Sequence, residues 1–147
     1  MPLPEFAFQL RTFGTEFSKM TRWLLTEIKP EEITLTQFEI LHFLYTEDSA
    51  TFGQIGACAG MSLPNTSREV KKLIGKKLVA KRANLKDKRV YFVELTPPGQ
   101  ELMAASSAKL ERLISGRYSH LNPAEISEVM QALDLLSEKL LGNGTAE

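Results

Sequence analysis

Ten basic side chains lie between Leu63 and Val90: Arg68, Lys71, Lys72, Lys76, Lys77, Lys81, Arg82, Lys86, Lys88 and Arg89. Only Glu69 and Asp87 oppose them, a surplus of eight positive charges. The whole chain is neutral, with 18 basic and 18 acidic residues, so the rest of it carries the matching negative surplus. Lysine and arginine at this density hold phosphates, and a soluble protein that concentrates them in one segment presents a polyanion-binding surface. Their neighbours add discrimination. On a helix from Leu63 to Lys77, one face carries Pro64, Asn65, Arg68, Lys71 and Lys72, with Ser67 on its flank. Asn pairs bidentately with adenine and Arg with guanine, while lysines reach phosphates. Taken alone, the same face equally describes a solvated basic surface.

Other chemistries lack their residues. His42 and His120 fall on different helices with no Cys or His at ligand spacing, so no metal or other cofactor is expected. Glycine-rich phosphate loops, a nucleophile elbow and a histidine–carboxylate pair at motif spacing are all missing, which argues against an enzyme. Cys58 is the one cysteine. It allows no internal disulfide, and a reducing cytoplasm is the simplest setting. A redox sensor there would need an external thiol to resolve it, so a passive small residue is the plainer reading. The start, Met1-Pro2-Leu3-Pro4-Glu5, does not resemble a signal peptide. No apolar run approaches the roughly 20 residues of a membrane span.

The elements that must position these residues follow from periodicity. With 147 residues, 43% of them hydrophobic, the chain suits one compact protomer. Phe6, Leu10, Phe13, Phe17, Met20, Leu24 and Ile28 form a helical stripe that ends near Lys29-Pro30. A Thr34–Gln37 capping box, or Thr36–Glu39 two residues later, opens a second helix through Phe38, Leu41, Leu44 and Tyr45. Glu47-Asp48-Ser49 reads as a turn. Thr51 with Gln54 caps a short helix closed by Gly60. Ser62 caps the basic helix with Pro64 in its first turn, and Thr66, Val70, Leu73 and Ile74 point inward. These helices have helix-turn-helix spacing.

Val79–Asn84 and Arg89–Leu95 alternate as two strands joined by the tip Leu85-Lys86-Asp87-Lys88. A basic hairpin after such a helix is the layout of a winged helix-turn-helix. Lys86, Lys88 and Arg89 are its DNA-binding candidates, with Arg89 or its lysine neighbours suited to a narrow minor groove. Asp87 reads as a structural tie. Thr96-Pro97 and Asn122-Pro123 then open two further helices, the second striped by Ile126, Val129, Met130, Leu133, Leu136 and Leu140. A winged module of about 60 residues cannot bury all these apolar stripes, so pairing of two copies is expected. The expected class is mostly α (α+β), divided as 1–32 N-terminal dimerisation helix, 33–95 winged helix-turn-helix and 96–147 C-terminal dimerisation helices. Gly142 to Glu147 read as frayed.

Residues 33–102 resemble the MarR family of bacterial transcriptional regulators. Ile33-Thr34-Leu35-Thr36-Gln37-Phe38-Glu39-Ile40-Leu41 is similar to its second-helix opening. Ser62–Val79 resembles its recognition helix, and Asp87-Lys88-Arg89 with Leu95-Thr96-Pro97-Pro98-Gly99 resembles its wing and fifth-helix start. The resemblance implies a homodimer on a pseudo-palindromic double-stranded DNA operator, usually a repressor relieved by a small molecule. It implies recognition contacts from Leu63, Pro64, Asn65, Ser67, Arg68 and Lys72, and a minor-groove Arg89. It also implies a crevice for a small aromatic or apolar ligand, for which Phe13, Phe17, Trp23, Phe38, His42 and Tyr45 are candidates. Lys77 departs from the family's usual glycine, Leu63 and Pro64 from commoner polar residues, and Leu85 from a frequent wing proline. The alternative function is a winged-helix adaptor that meets an acidic protein without reading DNA.

Overall fold

A computed structural model describes residues 2–142. In chain order the elements are α1 (Leu3–Ile28), α2 (Leu35–Glu47), β1 (Ser49–Thr51), α3 (Phe52–Ala59), α4 (Leu63–Gly75), β2 (Val79–Ala83), β3 (Tyr91–Leu95), α5 (Pro97–Arg117) and α6 (Pro123–Leu136). A π-helical turn, Ser137–Leu141, follows α6. Two compact units result, one reaching Leu110 and the other beginning at Glu111. No helix among the described residues is long and apolar enough to cross a membrane. The fraying expected of Gly142 to Glu147 lies outside the described residues from Asn143 onward.

Local chemistry sets the boundaries in the first unit. Of the two possible capping boxes before α2, the chain uses Thr34 with Gln37. The Gln37 N–H donates to Thr34 Oγ1 at 3.1 Å, and the Thr34 N–H donates to Gln37 Oε1 at 3.3 Å. Thr51 and Gln54 repeat this reciprocal pair at the start of α3. Gly60 ends α3 in the left-handed region, φ 65°, where glycine has no Cβ to clash. Ser62 caps α4 by accepting from the Asn65 N–H.

The core fills from α2 outward. Phe38, Leu41 and Leu44 are fully buried, joined by Ile33, Ile40, Ile55, Val70, Leu73, Val93 and Met103. Each such side chain contributes about 1.5–3 kcal/mol relative to remaining in water. α4 buries Thr66, Val70 and Leu73, at steps of four and three along one stripe. Ile74, expected inward, is exposed. It stands one residue, a rotation of about 100°, beyond Leu73 and falls off that stripe.

The sheet has three strands rather than the expected two, in the order β1-β3-β2, all antiparallel. β2 pairs with β3 from Val79 opposite Leu95 to Ala83 opposite Tyr91. β1, in a stretch read as turn and cap, adds Ser49 opposite Glu94 and Thr51 opposite Phe92. Together the helices and this sheet make a winged helix-turn-helix. In the second unit, α6 begins at Asn122, whose side chain accepts from the Glu125 N–H while Glu125 Oε2 accepts from the Asn122 N–H. α6 buries no residue.

Candidate nucleic-acid interface

The helix expected to read bases presents the expected residues to solvent. Leu63, Pro64, Asn65, Ser67, Arg68, Lys71 and Lys72 on α4 are all exposed. The first turn of α4 contains no acidic residue, so its free N–H groups and the positive end of its dipole favour an anion. Behind this face, α4 is fixed to its neighbours by two devices. Thr66 Oγ1 donates to the Ser62 carbonyl at 2.9 Å. A Cβ at Gly56 of α3 would lie 2.9 Å from that same hydroxyl, so only glycine lets α3 and α4 approach so closely.

The second device is a polar tie that sequence reasoning missed. Gln37, only 3% exposed, donates from Nε2 to Glu69 Oε2 at 3.1 Å. Glu69 Oε1 accepts in turn from Lys72 Nζ at 3.3 Å. The single acid of α4 therefore links the capping box of α2 to a lysine on the exposed face. Gln37 was legible as a cap, but nothing local announces that its amide reaches 32 residues along the chain.

Past Gly75 the chain turns into the hairpin. Lys77 adopts the left-handed region at φ 61°, the position noted as a usual glycine. Lys76 Nζ donates to the Glu32 carbonyl. The root of the hairpin closes where the Thr96 N–H donates to the Leu78 carbonyl at 3.0 Å and Thr96 Oγ1 to the Lys77 carbonyl at 2.7 Å. Gly99 of α5 presses on the Leu78 carbonyl with no room for a Cβ.

At the tip, two short side chains organise the backbone. Asn84 Oδ1 accepts from the Lys86 N–H at 2.9 Å, and Asp87 Oδ1 from the Arg89 N–H at 3.0 Å. The Asn84 N–H donates to the Val90 carbonyl, and the Val90 N–H to the Asp87 carbonyl. Asp87 also stands 3.6 Å from Arg89 Nε, yet the Arg89 side chain remains 95% exposed. Lys86 and Lys88 are exposed beside it. Lower on the wing, Lys81 lies over the Tyr91 ring and Arg82 over the Phe92 ring.

A family model for the MarR family matches residues 32–90, the span from the approach to α2 to the tip of the hairpin, ending before β3. Over that span the chain is similar to the MarR family. Among curated relatives, the HTH-type transcriptional regulator TcaR of Staphylococcus aureus (strain Newman) is 28% identical over 134 residues, 89% of this chain and 88% of TcaR. The crystal structure of RV1404 from Mycobacterium tuberculosis superposes with a TM-score of 0.70 at 20% identity, covering 91% of both chains. A mutant MarR from E. coli, complexed with operator DNA, gives a TM-score of 0.59 at 22% identity over 87% of this chain and 93% of that one. At such identities the two structures support the fold.

The six pocket candidates of this chain do not come together. Phe38 is fully buried in the core and cannot face a ligand. Phe13 and Phe17 stack on each other, 5.4 Å between ring centroids, on the exposed face of α1. Trp23 is half-buried on α1, and Tyr45 is exposed on α2. Only His42 of the six lines the cleft of about 380 Å³ between α2 and α3, with Glu39, Ile40, Phe43, Thr46, Ile55, Cys58 and Ala59. A shallower hollow on α1 holds Phe13 with Glu5, Phe8, Gln9 and Thr12. Cys58 is exposed at the cleft. Burial, then the charges of Glu39 and Glu47, push its thiol above the ordinary range, so it stays protonated at neutral pH. Among the described residues, no three His, Cys, Asp or Glu side chains are placed to hold a metal ion.

Proposed function

We propose that this chain is a homodimeric, sequence-specific regulator of transcription that binds duplex DNA with α4 in the major groove and the hairpin in the adjacent minor groove. The carrying observation is the pairing of a basic helix, capped and acid-free in its first turn, with a hairpin tip that projects the exposed side chain of Arg89. Asn65 and Arg68 read base edges, Lys71 and Lys72 hold phosphates, and Leu63, Pro64 and Ser67 pack against the groove wall. Lys86 and Lys88 flank Arg89 along the backbone. The structurally similar MarR, complexed with operator DNA, supports duplex DNA as the partner.

The dimer rests on apolar surface. Phe6, Leu10, Phe13 and Phe17 on α1 are exposed, as are Ile126, Val129, Met130 and Leu133 on α6. Faces this rich are covered in a working protein. Two recognition helices related by a two-fold axis then meet major grooves about 34 Å apart on a pseudo-palindromic operator. Repression relieved by a small aromatic or apolar molecule fits the cleft between α2 and α3. α3 touches α4 through Gly56 and Thr66, so a molecule that wedges α3 favours one setting of the recognition helix. Such a regulator works beside the chromosome, in the cytoplasm.

Selection of duplexes from a random pool, followed by anisotropy titration at several salt concentrations, tests the reading. A two-fold pseudo-palindrome should be enriched, and log K should fall by about 0.9 per phosphate contact for each unit of log salt. Weak binding with no enriched motif would overturn it in favour of a protein adaptor.

A further inference from the structure

The side chains that the hairpin tip projects into solvent are not all charged. Leu85 is 95% exposed, the same figure as the Arg89 side chain four residues on. Among the described residues no other large apolar side chain reaches that value; Leu141 follows at 72%. An isolated surface leucine ordinarily needs no explanation. This one sits among Lys86, Lys88 and Arg89, on a backbone that the Asn84 and Asp87 side chains fasten on either side. The tip is thus ordered, and its order holds the leucine away from the protein. Folding gains nothing from that placement. A minor groove uses both groups: the guanidinium answers its negative potential, and an apolar side chain fits between sugars or into a base step.

We propose that Leu85 is an apolar wedge that enters the minor groove beside Arg89 and partly unstacks a base step. The preferred steps are pyrimidine–purine ones, which open most easily, so Leu85 adds sequence preference where no hydrogen bond is made. This deepens the DNA-binding reading and depends on it. It also assigns a role to a position where the family's usual proline is missing.

The test uses the full-length protein and the duplex recovered from the random pool, with 2-aminopurine placed in turn at each step beneath the wing. Wild-type protein should raise the fluorescence at one step in each half-site. Leu85→Ala should abolish that rise and weaken binding about tenfold, equivalent to about 1.4 kcal/mol, with the melting temperature and salt slope unchanged. Leu85→Met should restore the signal, as an unbranched apolar side chain of similar volume. Operator binding by the wild type with no fluorescent step, or the same rise and affinity in Leu85→Ala, would overturn the wedge while leaving the regulator reading intact. A wild type that prefers no duplex would remove both, and that result precedes any Leu85 variant.

Discussion

In the proposed complex, Arg89 and Asn65 divide the work of binding in ways that separate experiments detect. Arg89 carries a charge on an exposed side chain; its backbone N–H donates to Asp87, and its guanidinium adds a solvent-exposed ion pair to the same carboxylate, a contact of little stabilising weight. Arg89→Ala should therefore weaken the operator complex about tenfold and reduce the salt slope by roughly one contact, with no change in melting temperature. Anisotropy and thermal denaturation on the same samples check this, and retained affinity would take the wing out of the mechanism. Asn65→Ala should instead relax sequence preference by about 1–3 kcal/mol at one base pair. Equal losses on selected and random duplex would make it a backbone contact. Cys58 gives a third check at this scale. Its thiol is raised by burial and by Glu39 and Glu47, so alkylation at pH 8 should be slower than for a free cysteine and should accelerate as pH rises. Glu39→Gln should speed it, because removing a nearby negative charge favours the thiolate. The exposed polar and charged residues of α4 were readable from the sequence, since a wheel places Asn65, Arg68, Lys71 and Lys72 by rotation alone. The pocket residues were not, because a cavity depends on which side chains fail to meet. Phe38 shows this: its spacing suits a crevice as well as a core, and the fold puts it in the core.

The helices announced themselves through caps and stripes, and their starts fall at Ser62, Thr51 and Asn122 as the side chains require. β1 did not. Three residues, Ser49 to Thr51, are too short for an alternation to register, and their pairing with β3 closes a loop of some forty residues. The basic helix also ends two residues early, at Gly75 rather than Lys77, because the chain reverses through a left-handed lysine. That conformation costs a side-chain-bearing residue about 1–2 kcal/mol. Lys77→Gly should therefore raise the unfolding free energy by up to about 1 kcal/mol, after the entropy glycine loses on folding, as read by urea denaturation. A lower midpoint would show that the lysine side chain contributes more than its backbone loses. The tie between α2 and α4 predicts the opposite sign. Gln37→Ala removes half of a capping box and leaves the Glu69 carboxylate without its buried donor. A loss of about 1–3 kcal/mol is expected.

Whole-molecule behaviour depends on the apolar faces of α1 and α6. The sequence showed that such stripes exist, and periodicity alone could not say whether the chain itself covers them. It leaves Phe13 and Phe17 in the open. Introducing charge there, as Phe13→Glu with Phe17→Glu, should leave the helical content intact and shift sedimentation from dimer to monomer. Operator affinity should then fall by more than tenfold, because one half-site offers only half of the contacts. A dimer that survives both substitutions would place the contact elsewhere on the molecule.

The closed root of the hairpin separates what can vary from what cannot. Thr96 latches onto Leu78, and Gly99 seals the latch, so the path of the chain beyond it is invisible to α5. Between the latch and Ala83–Tyr91, β3 is committed on both edges, with Val93 in the core. Outside that line, the segment from Asn84 to Val90 answers only to itself. It is an exchangeable cartridge: insertions or deletions that preserve the register at Ala83 and Tyr91 alter how far the protein reaches along the DNA, while the body that carries the cartridge stays the same.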